Sequence, residues 1–329
     1  MGNKLSNSAV DKYLECSLCY KLHYIDRIRP VRGKSALLFG ATLDSALNHL
    51  LLTRNLDEAR TIFLTNWMKI DQKNTDFSKS DLDEELIEFC EKENSKFKNE
   101  GIPSWRSLLY KGCLFLIQYN KDILPKIKKV VAVQELVSLK NTDGDEITGI
   151  LDLVVQWEDG KTYLLDNKSS SVKYAPDSAK TGQQLPLYYY IKKDEYKLDG
   201  VGYIVMSKKI NKNRVKKCKS CGKLNESSHK KCNEQSTQQL LEPGDKVNYR
   251  CNGEFDVTIN PSVDIDIILN TVDESDTKRV IETFDHVNNC VVNGVFATEH
   301  PSTKNKYFQY CPYKEYTPDN PNFVKLEKK

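Results

Sequence analysis

The sequence lacks any apolar run close to the roughly 20 residues that a membrane-spanning helix needs. Its N-terminus lacks the apolar segment of a signal peptide. It also lacks a strong charge excess, because 49 Lys and Arg stand against 46 Asp and Glu. We therefore expect a cytoplasmic protein with no membrane partner, in which local basic clusters matter more than the net charge of +3.

The ten cysteines are expected to be thiols or metal ligands, because nothing in the sequence indicates an oxidising compartment. Cys218-Lys-Ser-Cys221-Gly222 has the spacing of a zinc knuckle, and Cys232 and Cys251 could complete a tetrahedral site. His229 could replace one of these thiolates. The segment 208–253 is polar and has no evident core, so it is predicted to be an insertion that folds around a structural zinc.

The same insertion carries a basic cluster. Its members are Lys208, Lys209, Lys212, Arg214, Lys216, Lys217, Lys219, Lys230 and Lys231. Such a run is often only a solvated surface, but contacts to phosphates are at least as well favoured here.

Hydrophobic periodicity predicts a mixed α/β (α+β) fold. Residues 7–126 are mostly helical in pattern, and the later elements are strands at 130–139, 146–157 and 161–168, a helix at 177–193, strands at 199–208 and 254–260, and a helix at 264–293. The turns between the first three strands indicate an antiparallel meander. The predicted organisation is a helical N-terminal region (1–126), a core (127–207), the insertion (208–253) and a C-terminal completion of the core (254–329).

The stretch YLLDNKSSS places Asp166 and Lys168 at the end of an apolar strand. Their side chains share one face, because residues two apart on a strand point the same way. A hairpin centred on residues 158–160 would set Asp152 opposite them. Two adjacent carboxylates repel each other unless a cation lies between them, and Mg²⁺ commonly takes one or two carboxylates. An exposed salt bridge is the alternative, but the core-like flanks make these charges costly unless they are used.

Three segments in this order resemble the PD-(D/E)XK nuclease superfamily: Gly149-Ile150-Leu151-Asp152, Leu165-Asp166-Asn167-Lys168 and Gln184-x-x-x-Tyr188. Within it they are most similar to the RecB-like branch that contains CRISPR-adaptation nucleases. The resemblance covers most of the chain outside the insertion. It implies a restriction-endonuclease-like core with a central mixed sheet flanked by helices.

The resemblance also implies the roles of individual residues. Asp152 and Asp166 would bind Mg²⁺ or Mn²⁺ through their carboxylates, and Asn167 through its backbone carbonyl. Lys168 would orient or activate the attacking water and stabilise the transition state. Gln184 and Tyr188 would face the DNA backbone and complete the catalytic set.

The sequence departs from the branch in two places. Asp44 stands in the first motif where relatives have a histidine, and we expect it to be the substituted metal ligand, with His49 a packing residue and Glu135 a further acid near the site. Many relatives hold an iron–sulfur cluster on four cysteines. Only Cys16 and Cys311 match that pattern, so no cluster is expected, although these two could pack together.

The predicted function is that of a Mg²⁺- or Mn²⁺-dependent deoxyribonuclease, an exonuclease or structure-selective nuclease of recombination, repair or replication. Its predicted partners are DNA and a helicase or recombination protein. One alternative is a non-catalytic DNA-binding protein that uses the zinc insertion and the basic cluster. The other is a restriction-type endonuclease, which is disfavoured because no separate target-recognition domain is evident.

Overall fold

The computed structural model describes residues 4–140, 144–218, 255–298 and 311–327. The α-helices in these ranges are α1 (Asn7–Glu15), α2 (Ser17–Tyr20), α3 (Ser35–Thr53), α4 (Leu56–Met68), α5 (Glu84–Glu93), α6 (Pro103–Asp122), α7 (Ser178–Thr181), α8 (Gln184–Tyr196) and α9 (Glu274–Val292). The strands are β1 (Lys4–Ser6), β2 (Ile28–Pro30), β3 (Gly33–Lys34), β4 (Thr75–Asp76), β5 (Ile127–Lys140), β6 (Glu146–Trp157), β7 (Thr162–Ser170), β8 (Gly200–Ser207), β9 (Asn211–Cys218), β10 (Phe255–Ser262), β11 (Ile265–Asn270) and β12 (Phe323–Lys325).

A six-stranded mixed sheet forms the centre of the fold. Its order is β1-β6-β7-β8-β11, and β5 pairs with β6. Strands β5, β6 and β7 are antiparallel neighbours, as the sequence predicts for a meander. β8 then runs parallel to β7, with Asp166 beside Tyr203 and Lys168 beside Val205. The mixed sheet confirms the predicted fold class.

Helices cover both faces of this sheet. On one face, α3, α4 and α6 bury an aromatic cluster in which Phe39 lies edge-on to Phe63 and Trp67. On the other face, α1, α8 and α9 pack over apolar side chains of β6, β7 and β8. Core side chains pack on both faces of β7, which explains why the residues just before Asp166 are continuously apolar.

Helix α3 shows how the sequence specifies the first of these layers. Its apolar residues Phe39, Leu43, Leu47 and Leu50 recur at helical spacing and are buried. By length and composition alone this helix could cross a membrane. Its buried side chains instead pack into the core of the described fold.

The structure corrects two sequence-based boundaries. The predicted helix at 264–293 is wrong at its start, because residues 265–270 form the edge strand β11 antiparallel to β8. Helix α9 begins only after Asp273, whose side chain caps it in a capping box. The predicted helix at 177–193 is divided at Gly182, where a Cβ would lie 3.2 Å from the hydroxyl of Tyr203.

Two paired strands lie at the ends of the predicted insertion. β9 and β10 are antiparallel, with Cys218 opposite Phe255. Near the start of β9, Lys212 forms ion pairs with Asp83 at 2.7 Å and Glu85 at 3.0 Å. Lys208 places its ammonium 5.4 Å from the centre of the Phe39 ring. These two lysines of the basic cluster therefore also have contacts within the fold.

Candidate active site

The central feature of the site is the point where β6 and β7 separate. Their pairing runs from Gln156↔Thr162 to Leu153↔Leu165. One further step of the same register would set Asp152 opposite Asp166, as the sequence predicts. Beyond this point β6 pairs with β1 at residues 146–148, while β7 continues beside β8.

Both strands of the β5–β6 pair rotate at this point. On β6, Leu151 packs in the cluster under α8, whereas Leu153 packs in the cluster under α3, so the face of odd-numbered residues changes at Asp152. On β5, Val137 and Val133 change face in the same way across Gln134. Gln134 has a φ of 51°, a left-handed conformation that a non-glycine residue rarely adopts within a strand.

The Gln134 side chain is part of the site that its backbone helps to form. Its Nε2 donates a hydrogen bond to Oδ1 of Asp152 at 3.2 Å. A strained backbone conformation of this kind costs on the order of 1–3 kcal/mol and often occurs at functional sites. The amide therefore fixes the orientation of the Asp152 carboxylate at the bend of the sheet.

Asp166 is the most deeply buried acid of the group. Its exposure is 1 %, and the Lys168 ammonium forms an ion pair with its Oδ2. Neither oxygen receives a hydrogen bond of normal geometry from the described residues. A buried carboxylate with unused lone pairs is costly, so Asp166 is suited to bind a further positive group.

The three carboxylates act on one another electrostatically. Burial and the adjacent Asp166 carboxylate raise the pKa of Asp152 well above its usual range, and Asp44 adds to this rise. Burial and Asp166 raise the pKa of Asp44 to about 6. Asp44, on α3, is therefore close enough to the two strand carboxylates to interact with them electrostatically.

Lys168 is held between these acids and an aromatic wall. Burial works to lower its pKa, but the Asp166 carboxylate more than offsets this effect, so the ammonium form is strongly favoured. Its Nζ lies 5.9 Å from the ring centre of Tyr203, which packs edge-on to Tyr174. The charge of Lys168 also acts electrostatically on Asp11 of α1, so α1 lies near the cleft.

Asn167 points away from its two charged neighbours. Its side chain is buried, and its amide lies beside the hydroxyl of Tyr119 on the α6 side of the sheet. Only the backbone of Asn167 can therefore contribute on the face of Asp166 and Lys168. This placement is consistent with the predicted use of its carbonyl rather than its side chain.

Tyr188 lies under β6 rather than on the surface. Its exposure is 3 %, its ring packs against Gly149, and the backbone of Ile150 hydrogen-bonds to its hydroxyl. A Cβ at Gly149 would lie within 2.5 Å of the Tyr188 ring, so glycine is required here. The expectation that Tyr188 faces DNA is therefore corrected, because the side chain supports the strand that carries Asp152. Gln184, at the start of α8, remains partly exposed.

Two other candidates have partners elsewhere. Glu135 forms an ion pair with Lys192 at 2.5 Å and accepts a hydrogen bond from Tyr196, both on α8. Its carboxylate is therefore used in holding β5 to α8, and the expectation that it is a further acid of the site is not supported. His49 contacts Glu58 on α4 at 2.8 Å, in keeping with a packing role.

The cysteines of the terminal segments meet in a small separate cluster. Cys19 Sγ lies 3.0 Å from Cys311 Sγ, and Cys16 Sγ accepts the backbone N–H of Cys19. Cys16 and Cys311 therefore belong to one cluster, as expected, and Cys19 lies between them. The zinc candidates Cys221, Cys232 and Cys251, together with His229, lie outside the described residues, and Cys218 is described only in its backbone.

Comparison with known proteins agrees with this geometry. The family model of the PD-(D/E)XK nuclease superfamily matches residues 4–316. The chain belongs to this superfamily. No curated protein matches the chain. The crystal structure of SSO0001 has 12% sequence identity and a TM-score of 0.28, over 85% of this chain and 98% of that one.

The superfamily implies a divalent metal, and the residues of the site fit one. In the described part of the chain, no three His, Cys, Asp or Glu side chains form a ready metal centre. Mg²⁺ does not need three, because it usually binds one or two carboxylates and keeps several waters. The Asp166 carboxylate, whose only described cationic partner is Lys168, and the adjoining carboxylate of Asp152 are suitable ligands.

Sequence reasoning missed three contributors to this PD-(D/E)XK site. No sequence signal identifies Gln134. Its role depends on a left-handed backbone conformation, and no neighbouring glycine indicates one. Tyr203 reaches the site through parallel pairing with β7, which the sequence does not specify. Asp11 could have been suspected from its place in the opening helix, but its electrostatic interaction with Lys168 depends on the tertiary fold.

The packing of Tyr188 on Gly149 can be tested by a double-mutant cycle. We expect Gly149→Ala to lower the free energy of unfolding by about 1–3 kcal/mol, because the new methyl group overlaps a buried ring. In a Tyr188→Ala background the same methyl should cost much less, since the ring is gone. Urea unfolding of the four proteins measures the coupling, and an equal cost in both backgrounds would contradict the contact.

The raised pKa of Asp152 predicts a pH-dependent stability. An acid whose pKa rises on folding destabilises the protein above its unfolded pKa, and the penalty grows until the pH passes the folded value. We therefore expect Asp152→Asn to raise the free energy of unfolding of the metal-free protein by roughly 1–3 kcal/mol at pH 8, and by less at pH 5. Urea unfolding in EDTA at both pH values measures this.

The control is Asp266→Asn, at an exposed position of β11. It should leave the pH dependence unchanged. If Asp152→Asn instead lowers the free energy of unfolding equally at both pH values, the ionised Asp152 carboxylate does not destabilise the folded protein.

Proposed function

We propose that the protein is a Mg²⁺- or Mn²⁺-dependent deoxyribonuclease that hydrolyses phosphodiester bonds at the cleft between β6 and β7. The observation that carries the proposal is the buried Asp166, with unused lone pairs, beside Asp152 and Lys168. A structural ion pair between Asp166 and Lys168 would not need the second carboxylate of Asp152, whose pKa burial and Asp166 raise. Membership of the nuclease superfamily supports the same chemistry.

Each residue has a distinct part in this reaction. Asp152 and Asp166 hold the divalent ion, together with the backbone carbonyl of Asn167, and Asp44 adds a further acidic group. When bound, the ion lowers the pKa of a water molecule and polarises the phosphate. Lys168 would orient or activate the attacking water and stabilise negative charge on the phosphate.

The finer assignment rests on the motifs. The order of the three motifs supports the RecB-like branch, and with it an exonuclease or structure-selective nuclease of recombination, repair or replication in the cytoplasm. A helicase or recombination protein is the proposed partner. A non-catalytic DNA-binding role is less well supported, because Asp152, Asp166 and Lys168 stand together at one cleft.

Cleavage assays test the proposal. We expect the wild-type protein to cut linear or circular DNA with Mg²⁺ or Mn²⁺, and Asp166→Asn and Lys168→Met to lower the rate at least about 100-fold. The control is Lys278→Met, which removes an exposed lysine of α9 that pairs with Glu282. Absence of cleavage by the wild type with either ion would refute the enzyme, and equal rates in the variants would refute the site.

We infer a structural zinc in the insertion, on Cys218, Cys221, Cys232 and Cys251. The pairing of β9 with β10 supports this inference, because it brings the two ends of the cysteine-bearing segment to neighbouring strands. Thiolate ligands in a short polar segment are typical of closed zinc sites.

Metal analysis tests the zinc site independently of activity. We expect about one zinc per chain in the purified protein, and its loss when both Cys218 and Cys221 are changed to serine. Cys290→Ser on α9 is the control and should retain the zinc. A wild-type protein without zinc, after purification free of chelators, would rule the site out.

A further inference from the structure

Three cysteine thiols from the two end segments of the chain lie together in a cluster of their own. Cys19 Sγ lies 3.0 Å from Cys311 Sγ, although the two residues are 292 positions apart in the sequence. Cys16 Sγ accepts the backbone N–H of Cys19 at 3.3 Å. The side chains that pack around these thiols include no residue of the candidate active site. The proposed nuclease reaction therefore leaves this cluster without a role.

Contacts on both sides hold the Cys311 segment against the N-terminal segment. Tyr313 is fully buried, and its hydroxyl donates a hydrogen bond to the backbone carbonyl of Ile28 at 3.0 Å. The same hydroxyl lies 2.6 Å from Nδ1 of His23. Further along the chain, β12 pairs with β2. The fold itself therefore keeps the sulfurs of Cys19 and Cys311 near each other.

The Cys19 and Cys311 thiols differ in their access to solvent. Cys311 is half-buried, whereas the exposure of Cys19 is only 3 %. Hydrogen bonds with Cys16 and Cys311 also raise the pKa of the Cys19 thiol. A thiol that reacts first must be accessible and able to lose its proton. Cys311 is therefore placed to meet an oxidant from solution, and Cys19 is placed to react with Cys311 afterwards.

We propose that Cys19 and Cys311 form a reversible disulfide under oxidising conditions. A disulfide has an S–S distance of about 2.05 Å, so the two sulfurs need to approach by only about 1 Å. The cytoplasm expected for this protein keeps thiols reduced, and disulfides that form in such a compartment are usually transient and redox-sensing. This inference goes beyond the proposed nuclease function, because no step of it involves a metal ion or DNA.

The oxidant in this reaction is a low-molecular-weight disulfide such as glutathione disulfide. The Cys311 thiol loses its proton to solvent and attacks one glutathione sulfur, which releases the first glutathione thiolate and leaves Cys311 joined to glutathione. The Cys19 thiol then loses its proton and attacks the Cys311 sulfur, which releases the second glutathione. Two protein thiols are oxidised to one disulfide, and one glutathione disulfide is reduced to two thiols.

The disulfide joins the two end segments of the described fold covalently. It links α2 to the segment that follows the last described gap, and so closes a loop of almost the whole chain. A cross-link between residues so far apart in sequence restricts the unfolded chain strongly. Oxidation is therefore expected to raise the Tm of the protein by several degrees.

Mapping of the cross-link in the full chain tests the proposal. The protein is reduced, freed of dithiothreitol, equilibrated with mixtures of glutathione and glutathione disulfide, quenched in acid, alkylated and digested with trypsin. Cleavage after lysine gives a peptide of residues 13–21, with Cys16 and Cys19, and a peptide of residues 307–314, with Cys311. We expect mass spectrometry to find these peptides joined through Cys19 and Cys311 in most chains when glutathione disulfide is in excess, and separate after dithiothreitol.

Variants of single cysteines identify the bond. The link should remain in Cys16→Ser and in the matched control Cys290→Ser, which changes a half-buried cysteine of α9. Cys311→Ser should lose both the link and the rise in Tm that oxidation gives the wild type. The peptide map of the wild type needs no variant, so the test stays decisive if a substitution harms folding.

Several results would overturn the inference. They are thiols that stay unmodified at every glutathione ratio, glutathione attached to Cys311 without a link to Cys19, a bond between Cys16 and Cys19 instead, and a bound metal ion that is lost in Cys19→Ser. Absence of DNA cleavage would refute the proposed function but would leave the cross-link unaffected.

Discussion

The repulsion between Asp152 and Asp166 is the constraint on which the site depends. Burial and the Asp166 carboxylate together raise the pKa of Asp152. The fold nevertheless holds both at one cleft, with Asp166 in the buried part of β7 and Asp152 at the point where β6 rotates. Gln134 holds Asp152 in place, and the ion pair with Lys168 offsets only part of the negative charge.

The residues around Asp152 and Asp166 prevent the two carboxylates from moving apart. Tyr188 fills the space that a side chain at residue 149 would take, and so ties α8 to β6 three residues before Asp152. The left-handed backbone of Gln134 lets β5 rotate together with β6 without losing register. In a flat sheet the helices would still cover both faces, but the side chain of Asp152 would point in a different direction. The bend is therefore part of the site.

Much of this arrangement follows from local sequence. The meander, helix α3 and the convergence of Asp152 with Asp166 could be predicted, because hairpin register and strand alternation are short-range properties. The parallel pairing of β8, the edge strand β11 and the approach of α1 could not, because they depend on contacts between distant segments. The motif identifies Tyr188 but wrongly predicts that it faces DNA, since a motif does not specify the direction of a side chain.

The charge of the cleft connects metal binding with DNA binding. Asp44, Asp152 and Asp166 supply three carboxylates against the single ammonium of Lys168, so with all groups ionised the cleft repels phosphate. A divalent cation reverses this balance locally, and it does so where the lone pairs of Asp166 are unused. In the proposed reaction, the ion would therefore also be needed to admit the substrate's phosphate.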